Sequence, residues 1–264
     1  MSKRWVLITG GARRLGETLC LAFARAGWNV VCHYQLSADE AFQTCEKIRV
    51  LGVLATAVQA NLGAYKDRET LFSKAALAAQ AMGGRLRAVV NNASTFEPDE
   101  GLHFAPELLE RQLGVNLVAP LHLGRLLAQA SSTTELEDTP CVVHILDQKV
   151  FNLNPDYFSY TVSKLALQSA VALQAQALAP HVRVCAVAPG LIFVSGPQAQ
   201  DNFDRSSSVN LLRSPTDPQD VARAVVFFAE NASVNGVTLC VDKGQHLVPL
   251  ERDIMFVAEQ LRAK

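Results

Sequence analysis

Thr9-Gly10-Gly11-Ala12-Arg13-Arg14-Leu15-Gly16 decides how the rest of this chain reads. An apolar run from Trp5 to Ile8 precedes it and predicts a strand; an amphipathic run from Glu17 to Ala26 follows and predicts a helix. A glycine-rich turn between a first strand and a first helix aims backbone N–H groups and the helix N-terminus at a pyrophosphate. Glycine lets the backbone approach the phosphates closely, and Arg13 and Arg14 add fixed positive charge beside them. The turn alone is a weak signal. Its place on an N-terminal strand–turn–helix unit makes it a dinucleotide signal.

Beyond that unit, strand and helix patterns alternate to the end of the chain. Strands are predicted at Trp5–Thr9, Asn29–Tyr34, Leu54–Gln59, Ala88–Asn91, Cys141–Leu146, Val182–Ala188 and Val237–Val241. Most are continuous apolar runs rather than alternating ones, as parallel strands covered on both faces require. Helices are predicted near Leu15–Ala26, Ala38–Leu51, Lys66–Met82, Pro106–Ala130, Tyr157–Ala179 and Pro218–Ala229. The expectation is α/β: one Rossmann-type, doubly wound domain over residues 1–264, a seven-stranded parallel sheet with helices on both faces. Residues 193–217, rich in Ser, Pro, Gln, Asn and Asp, interrupt the alternation after a strand's carboxyl end, where a substrate lid is expected.

Composition narrows the function classes. The 264 residues carry a formal net charge of −1, which gives no bulk attraction for nucleic acid or a membrane surface. No apolar run approaches the ~20 residues that cross a bilayer, and the short basic start, Met1-Ser2-Lys3-Arg4, is not a signal peptide. The six cysteines are scattered, with no CxxC and no His/Cys cluster, so buried thiols in a cytoplasmic protein are expected and no metal site.

The second strand bears on the coenzyme. Proteins that bind NAD usually end it with a carboxylate for the ribose 2′-hydroxyl. Here it ends Cys32-His33-Tyr34-Gln35-Leu36-Ser37, with no acid before Asp39. Without that repulsion a 2′-phosphate is admissible; Arg13 is placed to pair with it, and His33, Tyr34 and Ser37 offer donors. NADPH is expected over NADH.

Tyr160 and Lys164 stand four apart in a helical pattern and share a face. A free phenol has a pKa of about 10, and an adjacent ammonium would lower it and make Tyr160 a usable general acid. By chance alone such a pair is common.

Together these motifs resemble the short-chain dehydrogenase/reductase family along nearly the whole chain. The matching elements are the Thr9–Gly16 turn, Asn91-Asn92-Ala93, Asn116 in Val115-Asn116-Leu117, Tyr160 with Lys164, Pro189-Gly190, and Asn235-Gly236-Val237-Thr238 with Val241-Asp242. The resemblance implies a catalytic set of Asn116, Tyr160 and Lys164, with Asn116 supporting a water relay to Lys164. It also implies coenzyme contacts from Gly10, Arg14, Leu15, Asn61, Leu62, Asn92, Ala93, Ser94, Pro189, Gly190 and Leu191, and a homotetramer or homodimer.

One departure bears on the substrate. The family's usual serine lies thirteen residues before the tyrosine, and here that position is Asp147. An ionised carboxylate donates no hydrogen bond and opposes a phenolate on Tyr160, which suits ketone reduction poorly. It suits a ring nitrogen that must receive a proton. Asp147 is shared with the pteridine reductases and bacterial dihydromonapterin reductases, as are the Gly11–Gly16 turn and Asn91-Asn92-Ala93-Ser94-Thr95-Phe96. By that resemblance Phe96 stacks on a flat pterin while Ser94, Arg14, Asp147 and Tyr160 contact it. Leu36 departs from members that carry a basic residue there, which predicts weaker NADPH selectivity. The expected activity is NADPH-dependent reduction of a dihydropterin of the dihydromonapterin or dihydrobiopterin type, with dihydrofolate as a secondary substrate. The alternatives are a generic carbonyl or alcohol oxidoreductase, which Asp147 disfavours, and a non-catalytic NADPH-binding regulator.

Overall fold

Seven of the apolar runs form strands: β1 (Lys3–Ile8), β2 (Asn29–Tyr34), β3 (Ala55–Gln59), β4 (Gly84–Asn91), β5 (Cys141–Ile145), β6 (Arg183–Pro189) and β7 (Thr238–Val241). The computed structural model describes residues 3–132, 139–194 and 198–257. The strands are parallel and ordered β3-β2-β1-β4-β5-β6-β7 in one sheet. Successive side chains of a strand face opposite ways. In β1, Val6 and Ile8 therefore pack into one apolar layer and Trp5 and Leu7 into the other.

The first layer is closed by α1 (Leu15–Arg25), α2 (Ala38–Val50) and α8 (Pro218–Glu230). The opposite layer is closed by α3 (Tyr65–Ala81), α5 (Ala119–Ser132) and α6 (Phe158–Leu178). Both faces are covered, so the central strands are apolar throughout, and this is the Rossmann-like α/β arrangement the sequence predicts. Chain order reverses between β1 and β4, which opens a crevice at the carboxyl ends of the central strands.

Three details depart from expectation. The helix predicted over Pro106–Ala130 is divided: α4 (Pro106–Leu113), a π-helical turn at Gly114–Val118, then α5. The wide turn carries Asn116, and such turns recur at functional sites. Inside the 193–217 stretch, a short α7 (Gln200–Ser206) forms on polar i,i+4 pairs, Arg205 with Asp201 and Gln200 with Asp204, a pattern that apolar periodicity does not detect. A last turn, α9 (Ile254–Val257), follows β7. Of the proposed lid, residues 195–197 lie outside the described residues, as do residues 1–2, 133–138 and 258–264 of the expected domain. No described helix is long and apolar enough to cross a membrane.

Candidate active site

The carboxyl ends of β1, β4, β5 and β6 open onto one cleft of about 640 Å³. Gly10, Arg13, Arg14 and Leu15 line it from the first turn, and Tyr34 and Ser37 from the end of β2. Asn92, Ala93, Ser94 and Phe96 follow β4; Asp147 follows β5; Tyr160 and Lys164 come from α6; Pro189, Gly190 and Leu191 follow β6. Residues from Gly10 to Leu191 thus meet in one place because parallel strands present all their carboxyl ends on one edge.

The turn is held by backbone geometry. Gly10 has φ +62°, and Asn92 Nδ2 donates to the carbonyls of Thr9 and Gly10 at 2.9 and 3.1 Å. A Cβ on Gly16 would lie 1.9 Å from the Gly10 carbonyl oxygen, so only glycine lets α1 start this close to the turn. Arg14 also takes a positive φ of 56°, which is uncommon outside glycine and costs about 1–3 kcal/mol. Two contacts offset that strain: its guanidinium donates to the Val194 carbonyl at 2.7 Å and lies 5.3 Å from the centre of the Phe193 ring. No side chain caps α1, so the positive end of the helix faces the cleft. Close backbone, open helix end and two guanidinium groups are the donor set a dinucleotide pyrophosphate requires, and the residues present fit one.

Four of the expected site residues stand elsewhere. His33 is 2% exposed and fully used: Nδ1 accepts from the Gly10 N–H at 3.0 Å, which leaves the ring proton on Nε2, 3.2 Å from the Ala60 carbonyl. Burial pushes it down to about 4, so it stays neutral and braces the turn rather than contacting a ligand. Leu62 is a core residue. Asn61 lies outside the cleft lining and holds the turn ahead of α3, its N–H donating to Asp67 and its Oδ1 accepting from the Gly63 N–H. Asn116 is buried behind the wall. Its Oδ1 accepts from the Thr95 N–H at 2.9 Å and the Ser94 hydroxyl at 3.1 Å. Its Nδ2 donates to the Thr95 carbonyl at 2.9 Å and to Ser163 Oγ at 3.0 Å. It clamps the Ser94–Thr95 loop to α6, and its side chain reaches toward Lys164 only through the preceding residue.

The chemical centre is a line of three side chains. Tyr160 donates its hydroxyl to Asp147 Oδ2 at 2.9 Å, and Lys164 donates to the Ile145 carbonyl at 2.8 Å with its ammonium 5.7 Å from the Tyr160 ring centre. The expectation that Lys164 lowers the phenol does not hold here: burial first, then Asp147, raise Tyr160 well above the usual range. The phenol is therefore kept protonated, and in this arrangement it is a weaker acid than a free phenol. Burial also brings Lys164 down to about 8, against a counter-pull from Asp147. Asp147 itself is raised by burial, opposed by hydrogen bonds from the Lys149 amide and Tyr160.

An aromatic wall completes the site, and only part of it was foreseen. Phe96 stands edge-on to Tyr160 with ring centres 4.7 Å apart, while Tyr157 stacks on it at 4.2 Å. Tyr157 is thus already on one face of Phe96, and Phe96 itself lines the cleft. Tyr157 opens α6 in a left-handed conformation, φ 56°, and its hydroxyl reaches Met255 Sδ at 3.1 Å. Sequence reading missed Tyr157, which backs Phe96, and missed Lys149, Asp253, Ile254 and Met255, which line the same end of the cleft. Nothing in their spacing marks them, because tertiary packing alone brings the C-terminal segment here.

Comparison with known proteins agrees with this geometry. The short chain dehydrogenase family model matches residues 4–204. The crystal structure of FolM alternative dihydrofolate reductase 1 from Brucella canis, complexed with NADP, superposes with a TM-score of 0.87 at 36% identity, covering 96% of this chain and 98% of that one. Dihydromonapterin reductase of Enterobacter sp. (strain 638) is 25% identical over 93% of this chain and 98% of its own length. The 1-cyclohexenylcarbonyl-CoA reductase of Streptomyces collinus is 30% identical over 92% of this chain and 86% of its own.

Proposed function

This chain belongs to the short-chain dehydrogenase family and is an oxidoreductase, and from that premise we propose that it is an NADPH-dependent reductase of a dihydropterin. One observation carries the reading: a carboxylate, Asp147, receives the Tyr160 hydroxyl at 2.9 Å where the family's usual residue is a hydroxyl donor. A carboxylate cannot donate a hydrogen bond to a ketone oxygen as that hydroxyl would. It does favour the protonated, cationic form of a nearby ring nitrogen, which a C=N bond supplies. A relative with NADP bound and a dihydromonapterin reductase relative support the same choice.

When bound, NADPH supplies a hydride to the ring carbon of the C=N bond. Gly10, Arg14, Leu15, Asn92, Ala93, Pro189, Gly190 and Leu191 hold the coenzyme in the cleft, and Arg13, Tyr34 and Ser37 meet its ribose phosphate. Lys164 fixes the nicotinamide side of the site. Phe96, which lines the cleft, takes the flat heterocycle, with Ser94 and Arg14 contacting its polar edge. Tyr160 hands its proton to the ring nitrogen, and Asp147 holds the hydroxyl in line. The chain acts as one domain, with 193–217 as its lid: Arg14 already grips the first residues of that stretch through Val194 and Phe193. Its assembly is a homotetramer or homodimer, as the family resemblance implies.

The test is direct. Dihydromonapterin, dihydrobiopterin and dihydrofolate are mixed with the protein and NADPH or NADH, and loss of the reduced-nicotinamide absorbance is followed. Turnover of dihydropterins with NADPH is expected, dihydrofolate more slowly. Turnover of simple ketones and no pterin would make the protein a carbonyl reductase instead; tight NADPH binding without any turnover would make it a binding protein.

A further inference from the structure

Lys149 has no place in the mechanism above, yet its surroundings are unusual for a lysine. It sits on a short 3-10 turn, Gln148–Val150, and is 3% exposed. Its backbone N–H donates to Asp147 Oδ1 at 2.8 Å, the oxygen that Tyr160 does not use. Its ammonium pairs with Asp253 Oδ2 at 3.1 Å and lies 5.4 Å from the centre of the Tyr157 ring. Lys149, Asp147, Tyr160 and Asp253 all line the cleft.

Asp253 is fixed in turn. Its Oδ1 accepts from the Met255 N–H at 3.3 Å, and its own N–H donates to Asp156 Oδ2 at 2.7 Å. Asp156, just ahead of α6, also receives Arg252 through Nε at 2.9 Å and Nη2 at 2.6 Å. The C-terminal segment is thereby tied to the same turn and the same helix start that hold Asp147 and Tyr160.

A buried ion pair is a poor stability device. Desolvating both charges roughly cancels their attraction, and an apolar pair of equal volume often does as well or better. Buried charges beside a reactive carboxylate are better explained by what they do to it. We propose that Lys149 and Asp253 are a positioning pair, in which Lys149 keeps the Asp147 carboxyl charged and turned toward Tyr160 while Asp253 holds Lys149 in place from the C-terminal segment. The inference rests on the reductase reading and adds to it two cleft-lining residues that act through Asp147 rather than by exchanging a proton with the substrate.

The groups facing Asp147 make the electrostatics specific. Tyr160 and Lys164 come from α6, Lys149 from the turn that follows Asp147, and Asp253 from the C-terminal segment, with Asp156 and Arg252 behind it. Burial drives the carboxyl up; the Lys149 amide, the Tyr160 hydroxyl and the Lys149 charge pull it down; Asp253 pushes it up. Lys149 and Asp253 therefore act on Asp147 with opposite sign. A scaffold role for the pair would give no such opposition, since breaking either partner loosens the same contact.

The experiment is carboxyl-carbon NMR of the full chain carrying isotopically labelled aspartate, titrated with and without NADP, with D147N identifying the Asp147 signal. In K149M its midpoint should rise by about 1–3 pH units, the size of a lost neighbouring opposite charge. In D253N it should fall, and K149R should restore the wild-type value. The acid limb of kcat/KM should move in the same directions. Midpoints unchanged in both variants, or displaced in the same direction, would overturn the proposal. If K149M does not fold, D253N and K149R decide: a D253N midpoint that stays or rises overturns it. Absence of pterin turnover in the wild type is a separate outcome, and it refutes the reductase reading rather than the pair.

Discussion

The two ends of the cleft are built differently. The coenzyme end is made from backbone: a positive φ at Gly10, a glycine at 16 that a Cβ would push into the Gly10 carbonyl, and the uncapped start of α1. These three features lie within eight residues of one another, with Asn92 and the Pro189–Leu191 stretch closing this end of the cleft. The substrate end is made from side chains contributed by Phe96, Asp147, Lys149, Tyr157, Tyr160 and residues 253–255. Backbone geometry is the same for any ligand carrying a pyrophosphate, whereas side chains from distant segments can be exchanged singly. The first end therefore identifies the family, and the second is where members of one family can differ in substrate.

The largest expected effect falls at the substrate end. Tyr160→Phe removes the proton donor and should lower kcat by about 10²–10⁴-fold while leaving NADPH affinity, read by nicotinamide fluorescence, nearly unchanged. Asp147→Asn keeps the shape but gives Tyr160 a neutral partner, and a loss toward the lower part of that range is expected on dihydropterins. Asp147→Ser should raise any activity on ketones. Equal losses of binding and turnover in Tyr160→Phe would erase the division between the two ends.

Gly16→Ala probes the other end. Its methyl would sit 1.9 Å from the Gly10 oxygen, so the turn must move. Coenzyme Kd should rise at least about tenfold, equivalent to about 1.4 kcal/mol, with turnover at saturating coenzyme much less affected. A pH profile adds a third measure. Lys164 is held near 8 by burial, so its ammonium is present below that value and lost above it. kcat/KM, which reports the free enzyme, should decline as pH rises through about 8, and Lys164→Met should abolish that limb together with most activity.

This division also explains what the sequence made legible. The seven strands came from apolar runs and the turn from glycine spacing, both local signals that packing on two faces leaves intact. Tyr160 was visible through its spacing to Lys164, and Asp147 only through the family resemblance, as the residue standing where that family's serine stands thirteen positions before the tyrosine. His33 misled because a strand-end histidine looks like a free donor; only the folded sheet turns its ring inward onto Gly10 and Ala60. Tyr157 and Asp253 had no signal at all. Their roles depend on how the segment after β7 returns to α6, which the intervening loop does not encode locally.

The smallest expected effect tests the coenzyme end where it is least determined. Arg13 is two-thirds exposed, and its guanidinium lies 4.0 Å from Glu40 in the first turn of α2. Leu36, beside it in the cleft, is 87% exposed and offers no charge to a 2′-phosphate. Preference for NADPH then rests on one solvated cation shared with a carboxylate, and a charge in water contributes little. Arg13→Ala should reduce the NADPH-over-NADH ratio of kcat/KM by about tenfold or less, corresponding to at most about 1.4 kcal/mol. Glu40→Gln frees Arg13 and should raise the ratio slightly, and Leu36→Arg should raise it more than either, because it adds a second cation without a competing partner. If Leu36→Arg leaves the ratio unchanged, the 2′-phosphate lies away from β2, and the side chains there discriminate no more than the backbone of the turn does.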